Sequence, residues 1–214
     1  MVRHLRKLFS KPALWGAVLL TLSVQAQAQL SQLQVQAESE GAWSIQALEI
    51  ADNQAYYQAY LSSQAMLYRT LGWGWPSTKQ TAEGNEDTMR FHVEQHEAKR
   101  AFTYVIREPQ HLTLHGALFI NPVHSRSGLP GFSAQDYEVE ITFWLNQQGQ
   151  ESAQADQLIA QVNQWLAQEW GIQSALYPVA RSNQFARQQL EQQGLELVTE
   201  DRNSGELLYS FRAR

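Results

Sequence analysis

The stretch Tyr137-Glu-Val-Glu-Ile-Thr-Phe-Trp-Leu145 alternates with a period of two. Tyr137, Val139, Ile141, Phe143 and Leu145 are apolar, whereas Glu138, Glu140 and Thr142 between them are polar. This pattern predicts a strand with one buried face and one more polar face. Downstream, Ala155, Leu158, Ile159, Val162, Trp165, Leu166 and Trp170 recur at three- and four-residue steps, which predicts a core-facing helix over Ser152–Trp170. Gly171 can end that helix in left-handed geometry, and Gln173-Ser-Ala-Leu-Tyr-Pro178 resumes an extended run. A second helix is predicted over Ser182–Gln193 ahead of Gly194, with closing strands at Leu195–Thr199 and Gly205–Phe211. From Tyr137 to Arg212 the order is thus strand, helix, strand, helix, strand, strand.

Upstream of this block, Ser44–Leu48 reads as a first strand and Asp52 as a helix N-cap before Ala55, Tyr56, Ala59 and Tyr60. A further helical stretch carries Met66, Leu67 and Leu71 and is broken by Gly72-Trp-Gly-Trp-Pro76. Another helix is predicted from Thr81 to Arg100. A hairpin of Ala101–Glu108 and Leu112–Asn121 then turns at Pro109-Gln110, and His124–Gln135 forms a loop. No internal repeat and no second domain is evident. The organisation is one domain over residues 45–214, preceded at 29–44 by a tether or weak first strand rich in Gln, Ser and Ala.

Residues 1–28 read as a secretory signal peptide. Arg3, Arg6, Lys7 and Lys11 make a basic start, Ala13–Leu22 is apolar but short for a membrane span, and Ala26-Gln-Ala28 has small residues at cleavage spacing. The expected location is the periplasm or outside the cell, with no membrane attachment after cleavage. With no Cys in 214 residues, neither lipoprotein attachment nor a disulfide is available, so the core must carry the stability. Cleavage would leave 12 Lys and Arg against 21 Asp and Glu, a formal charge of −9. That balance disfavours nucleic acid, because phosphate contacts draw on clustered cations.

Glu138 and Glu140 share one face of the first strand, where a buried carboxylate could serve as a general base or simply form the strand's polar side. His92 and His96 stand one turn apart, a spacing compatible with a shared metal, but no third ligand accompanies them and a solvated helix face is the expectation. His115 and His124 could enter a cleft, and Trp73 and Trp75 could line one or serve as packing around Gly74.

The segment Trp170–Leu195, with Asn183, Ala186, Gly194 and Leu195 at family positions, resembles the second half of the GNAT superfamily of N-acetyltransferases. It looks most like the branch of ribosomal-protein alanine acetyltransferases, and Glu140-Ile-Thr-Phe-Trp144 resembles that family's central strand. Gly72–Pro76 and Ala101–Arg107 extend the likeness over most of the chain after about residue 45. The resemblance implies an α/β (α+β) fold with a mixed, mostly antiparallel sheet flanked by helices. It also implies acetyl-CoA as cofactor and a small-molecule or peptide amine as acceptor; it names no protein partner.

In that fold the pantetheine arm lies where two central strands splay, and the diphosphate rests on backbone N–H groups at the next helix start. Gln150, Ser152, Ala153 and Ala155 fall on the family's phosphate-binding signature, with Ala153 where the family has Gly, and Asn183 would lie near the pantetheine. Glu140 or Glu138 would be the base. Leu190 occupies the position of a general-acid Tyr in some relatives. Between Arg126 and Arg181 there is no Lys or Arg, whereas Glu151 and Asp156 flank the phosphate position. Two readings follow: an acetyl-CoA-dependent N-acetyltransferase, or an exported, non-catalytic GNAT-fold protein that binds a small ligand or a partner.

Overall fold

A computed structural model of the chain describes residues 30–110, 112–126 and 128–213. The expected signal peptide lies outside the described residues. The elements run β1 (Glu38–Ser39), β2 (Ser44–Ala47), α1 (Asn53–Leu61), α2 (Gln64–Leu71), α3 (Ala82–Glu97), β3 (Phe102–Arg107) and β4 (Leu114–Asn121). They continue as β5 (Val139–Leu145), α4 (Gln147–Gln150), α5 (Leu158–Gln168), β6 (Ser174–Ala180), α6 (Gln184–Gln192), β7 (Glu196–Asp201) and β8 (Glu206–Arg212). The eight strands form one sheet in the order β1-β2-β3-β4-β5-β6-β8-β7. Every neighbouring pair is antiparallel except β5–β6.

The alternation in β5 sorts its side chains between two layers. Val139, Ile141, Phe143 and Leu145 join the core beneath α5 and α6, with Leu158, Ile159, Val162, Trp165 and Leu166 as the α5 stripe. On the opposite face Trp144 packs with Tyr56, Tyr60, Leu67, Leu71 and Met89 of α1–α3. That helical layer covers the β3–β5 half. The 122–136 loop covers the other half, closing Tyr137, Leu176 and Leu208 under Leu129 and Phe132.

Ahead of the domain, Leu30 is fully buried in the main core and Glu38–Ser39 pairs with Gln46 and Ile45 of β2. Gln161 of α5 ties this end down: its side chain accepts from Trp43 N (2.9 Å) and donates to Trp43 O (2.8 Å).

Two local expectations change. The helix expected from Ser152 begins at Leu158, because Asn146 starts a separate short helix by accepting from Gly149 N (2.8 Å), and turns fill the interval. Asp52 precedes α1 but its side chain caps none of that helix's N–H groups. Its carboxylate instead pairs with Arg107 and accepts from Glu49 N.

Candidate functional site

Gln150, Ser152, Ala153 and Ala155, the positions of the phosphate-binding signature, sit in the link from α4 to α5. Here the backbone donors are turned inward. Ser152 N–H donates to Gly149 O, Ala155 N–H to Ser152 O, Gln157 N–H to Gln154 O, and Gln154 N–H to the Ser152 hydroxyl. Gln147 N–H, at the start of α4, reaches Ser63 Oγ at 2.8 Å. A helix start holds an anion through N–H groups that lack partners; in this link the N–H groups of Ser152, Gln154, Ala155 and Gln157 have them. The Gln150 side chain donates to Leu145 O (2.9 Å), and Ala155 is buried.

The gap between the central strands is present in the backbone. β5 and β6 pair only at Val139↔Ala175 and Glu140↔Leu176, and beyond these β6 pairs with β8 alone. Ser174 N–H donates toward β5, to Glu138 Oε1 at 3.0 Å. Backbone donors alternate in direction along a strand, so positions 174, 176 and 178 all face β5. Pro178 therefore stands where the chain faces the gap, and its missing N–H interrupts no ladder bond. Side chains fill the gap itself. Leu71, Trp73, Phe143, Pro178, Val179, Asn183 and their neighbours leave about 10 Å³, the lower limit for one water. The end of α2 presses on β6 at this point: a Cβ on Gly72 would lie 2.9 Å from Ala180 Cβ.

Glu140 faces away from α5, toward a larger cavity of about 430 Å³ between the α1–α3 layer and the 122–136 loop. Tyr56, Trp73, Trp75, His92 and Phe119 supply its rings, and Asn121, Thr142, His124, Arg126, Glu140 and Glu206 its polar groups. The Glu140 carboxylate is fully engaged. Oε2 accepts from Arg126 Nη1 (2.8 Å) and His124 N (3.1 Å), while Oε1 meets His124 Nδ1 (2.9 Å) and Arg126 Nη2 (3.2 Å). Burial pushes this carboxyl's pKa up, but the hydrogen bonds and charges of His124 and Arg126 outweigh it and hold it below its ordinary 4.5. His124 moves the other way: its bond to Glu140 outweighs desolvation and raises it above 6.5.

The remaining candidates make structural contacts. Glu138 accepts from Gln173 N (2.7 Å) and Ser174 N (3.0 Å), pinning the start of β6. Asn183 caps α6 by accepting from Ala186 N (3.1 Å), and Leu190 is buried beneath it. His115 is buried beside Asn146 (3.2 Å) and Trp43, away from the cavity. His92 and His96 were expected on a solvated face. Instead they lie against β3, with Nδ1 of each near Thr103, because their one-turn spacing places both on the inner side of α3. Burial lowers the pKa of each. Among the described residues, no three His, Asp or Glu side chains gather as metal ligands.

Arg126 and Glu206 are the site members that residue reading missed. The signal available was Arg126's place as the last cation before a basic-free stretch rich in carboxylates.

The mixed sheet, the parted β5 and β6, and helices on both faces define the fold of the GNAT N-acetyltransferases, and solved structures match it. A ribosomal L7/L12 α-N-protein acetyltransferase (RimL, apo) superposes with a TM-score of 0.66 at 14% identity, over 85% of this chain and 95% of that one. The ribosomal-protein-S5-alanine acetyltransferase of Vibrio fischeri gives 0.63 at 14%, over 83% and 97%. The microcin C7 self-immunity acetyltransferase MccE, in complex with acetyl-CoA and AMP, gives 0.64 at 12%, over 87% and 99%. No protein-family model and no curated protein matches the sequence.

Proposed function

We propose that this protein uses the GNAT fold to bind a small ligand in the cavity beside Glu140, without transferring an acetyl group. The observation that carries this reading is the state of the α4–α5 link, where the amides of Ser152, Gln154, Ala155 and Gln157 bond within the chain instead of facing out. A diphosphate arriving there would meet Glu151 and Asp156 in a stretch, 127–180, that has no Lys or Arg of its own. The filled gap adds support, since a pantetheine arm would have to displace Leu71 and Trp73. So does Glu140. A carboxylate has about four lone-pair sites. All four are engaged here, and a lowered pKa weakens it as a base.

The proposal extends to location. Residues 1–28 act as a signal peptide that delivers the mature chain to the periplasm or beyond, away from cytosolic acetyl-CoA. Acetyl transfer to a small-molecule or peptide amine is the second reading. The likeness to a structure solved with acetyl-CoA, and the two-pair junction of β5 with β6, favour it.

Thermal unfolding of the mature domain with and without acetyl-CoA separates the two. A site at a hundredfold excess over its Kd would add about 2.7 kcal/mol, or roughly 5–11 °C in a domain of this size. The expected result is no shift. A rise of that order, accompanied by thiol release when amines are added, would establish the transferase and remove the binding-only reading.

A further inference from the structure

The walls of the 430 Å³ cavity bear on what it takes. Its rings are held before any ligand arrives. Trp75 packs against Tyr60 with centroids 4.7 Å apart and against Trp144 at 5.6 Å, and Tyr56 meets Trp144 edge-on at 5.4 Å. Trp73 touches Phe119 edge-on at 6.2 Å, yet 40% of it is exposed, although an indole is costly to leave in water. Preset aromatic rings attract cations through their quadrupoles.

The charges point the same way. Among the described residues Arg126 is the cavity's one guanidinium, and both of its terminal nitrogens are bound to Glu140. His124 turns its Nδ1 to the same carboxylate, and burial favours neutral His92. Glu206 is less completely paired. Its Oε2 accepts from Arg126 (3.4 Å) and from Ser204 Oγ (3.1 Å), whereas its Oε1 has no hydrogen-bond partner among the described residues. Two carboxylates thus face one guanidinium, and only a protonated His124 makes up the difference. Among the described residues lining the cavity, an anion would find Arg126 held by Glu140 and only the outer nitrogen of His124 without a hydrogen bond.

We infer that the cavity receives a small organic cation of the alkylammonium class, seated against Trp73, Trp75 and Tyr56 and paired with Glu206. This inference rests on the ligand-binding reading above and names the chemistry of its ligand. A quaternary ammonium suits the site because ring faces and one carboxylate attract it without N–H donors.

The test is calorimetric titration of the mature protein with choline, its uncharged isostere 3,3-dimethylbutanol, and the anion 3,3-dimethylbutyrate. Choline is expected to bind saturably, with dimethylbutanol about tenfold weaker or more and the anion weakest. Trp73→Ala and Glu206→Gln should each weaken choline about fivefold or more while melting near the wild-type temperature. Dimethylbutanol matching choline, saturable binding of the anion alone, or no saturable binding of any probe would overturn the cation site. Acetyl-CoA titrated into the choline complex keeps the two claims apart. Its binding beside choline would remove the non-transferase reading and leave the cation site standing.

Discussion

Replacing Arg126 with Ala isolates the energetics of the Glu140 cluster. The two side chains are 10% and 4% exposed, so the pair is shielded from solvent on both sides. Removing one partner of a buried pair leaves a charge without compensation and costs about 3–5 kcal/mol. Arg126 belongs to a surface loop through which water can follow, and His124 still bonds Glu140, so the lower end, about 3 kcal/mol, applies. For a domain of this size that corresponds to about 6–12 °C in Tm. Urea unfolding of Arg126→Ala, Glu140→Gln and the double variant at neutral and mildly acid pH measures it. In Arg126→Ala, with the bonds and charge of Arg126 gone, burial should lift the Glu140 pKa, and if it passes the unfolded value the lost stability returns as pH falls through the folded value. The double variant should recover most of the loss at neutral pH. A loss below about 1 kcal/mol with no acid recovery would refute a buried, tightly paired carboxylate.

Three further outcomes are expected. In the wild-type protein the His124–Glu140 contact should stabilise most between the two unfolded values of 4.5 and 6.5. Above this window the contribution of raised His124 is lost as pH passes its folded value, and below it that of depressed Glu140 is lost likewise. The alkaline limb should be shallow because His124 is 68% exposed, and His124→Gln should flatten it in urea midpoints measured against pH. Gly116→Ala would put a Cβ 1.9 Å from Trp144 O, so β4 must move off β5; a loss at or above the usual overpacking cost of about 1–3 kcal/mol is expected in chemical denaturation. Asn183→Ala removes the α6 cap and should cost about 1 kcal/mol by the same assay.

The fold was legible where one periodicity governed a whole element. β5 alternates from Tyr137 to Phe143, α5 carries its stripe at helical steps, and Gly171 and Gly194 adopt φ of 71° and 72° after the helices they end. The second helix was expected from Ser182 and starts at Gln184, with Asn183 directly before it as the cap. The start of α5 was not legible, since Asn146 with Gly149 forms a competing turn that the apolar stripe conceals. The site was less visible. Glu140 follows from strand alternation, but Arg126 reaches it from a loop 14 residues away and Glu206 from a strand far along the chain. Such convergence is tertiary and leaves no local spacing to read. His92 and His96 were misplaced for a related reason: one-turn spacing fixes a shared helix face without saying which face meets the sheet.

The junction of β5 with β6 also has a mechanical consequence. With two rungs joining them, the β1–β5 arm and the β6–β8 arm are separately hydrogen-bonded plates, and α5 fastens them by lying across both on the buried side. Pro178 prevents the seam from zipping further. Tension applied across this seam would separate the plates before unravelling either one, so cohesion there depends on the apolar core beneath α5, and on the Tyr177 hydroxyl's bond to Asn163 Oδ1, more than on the backbone ladder.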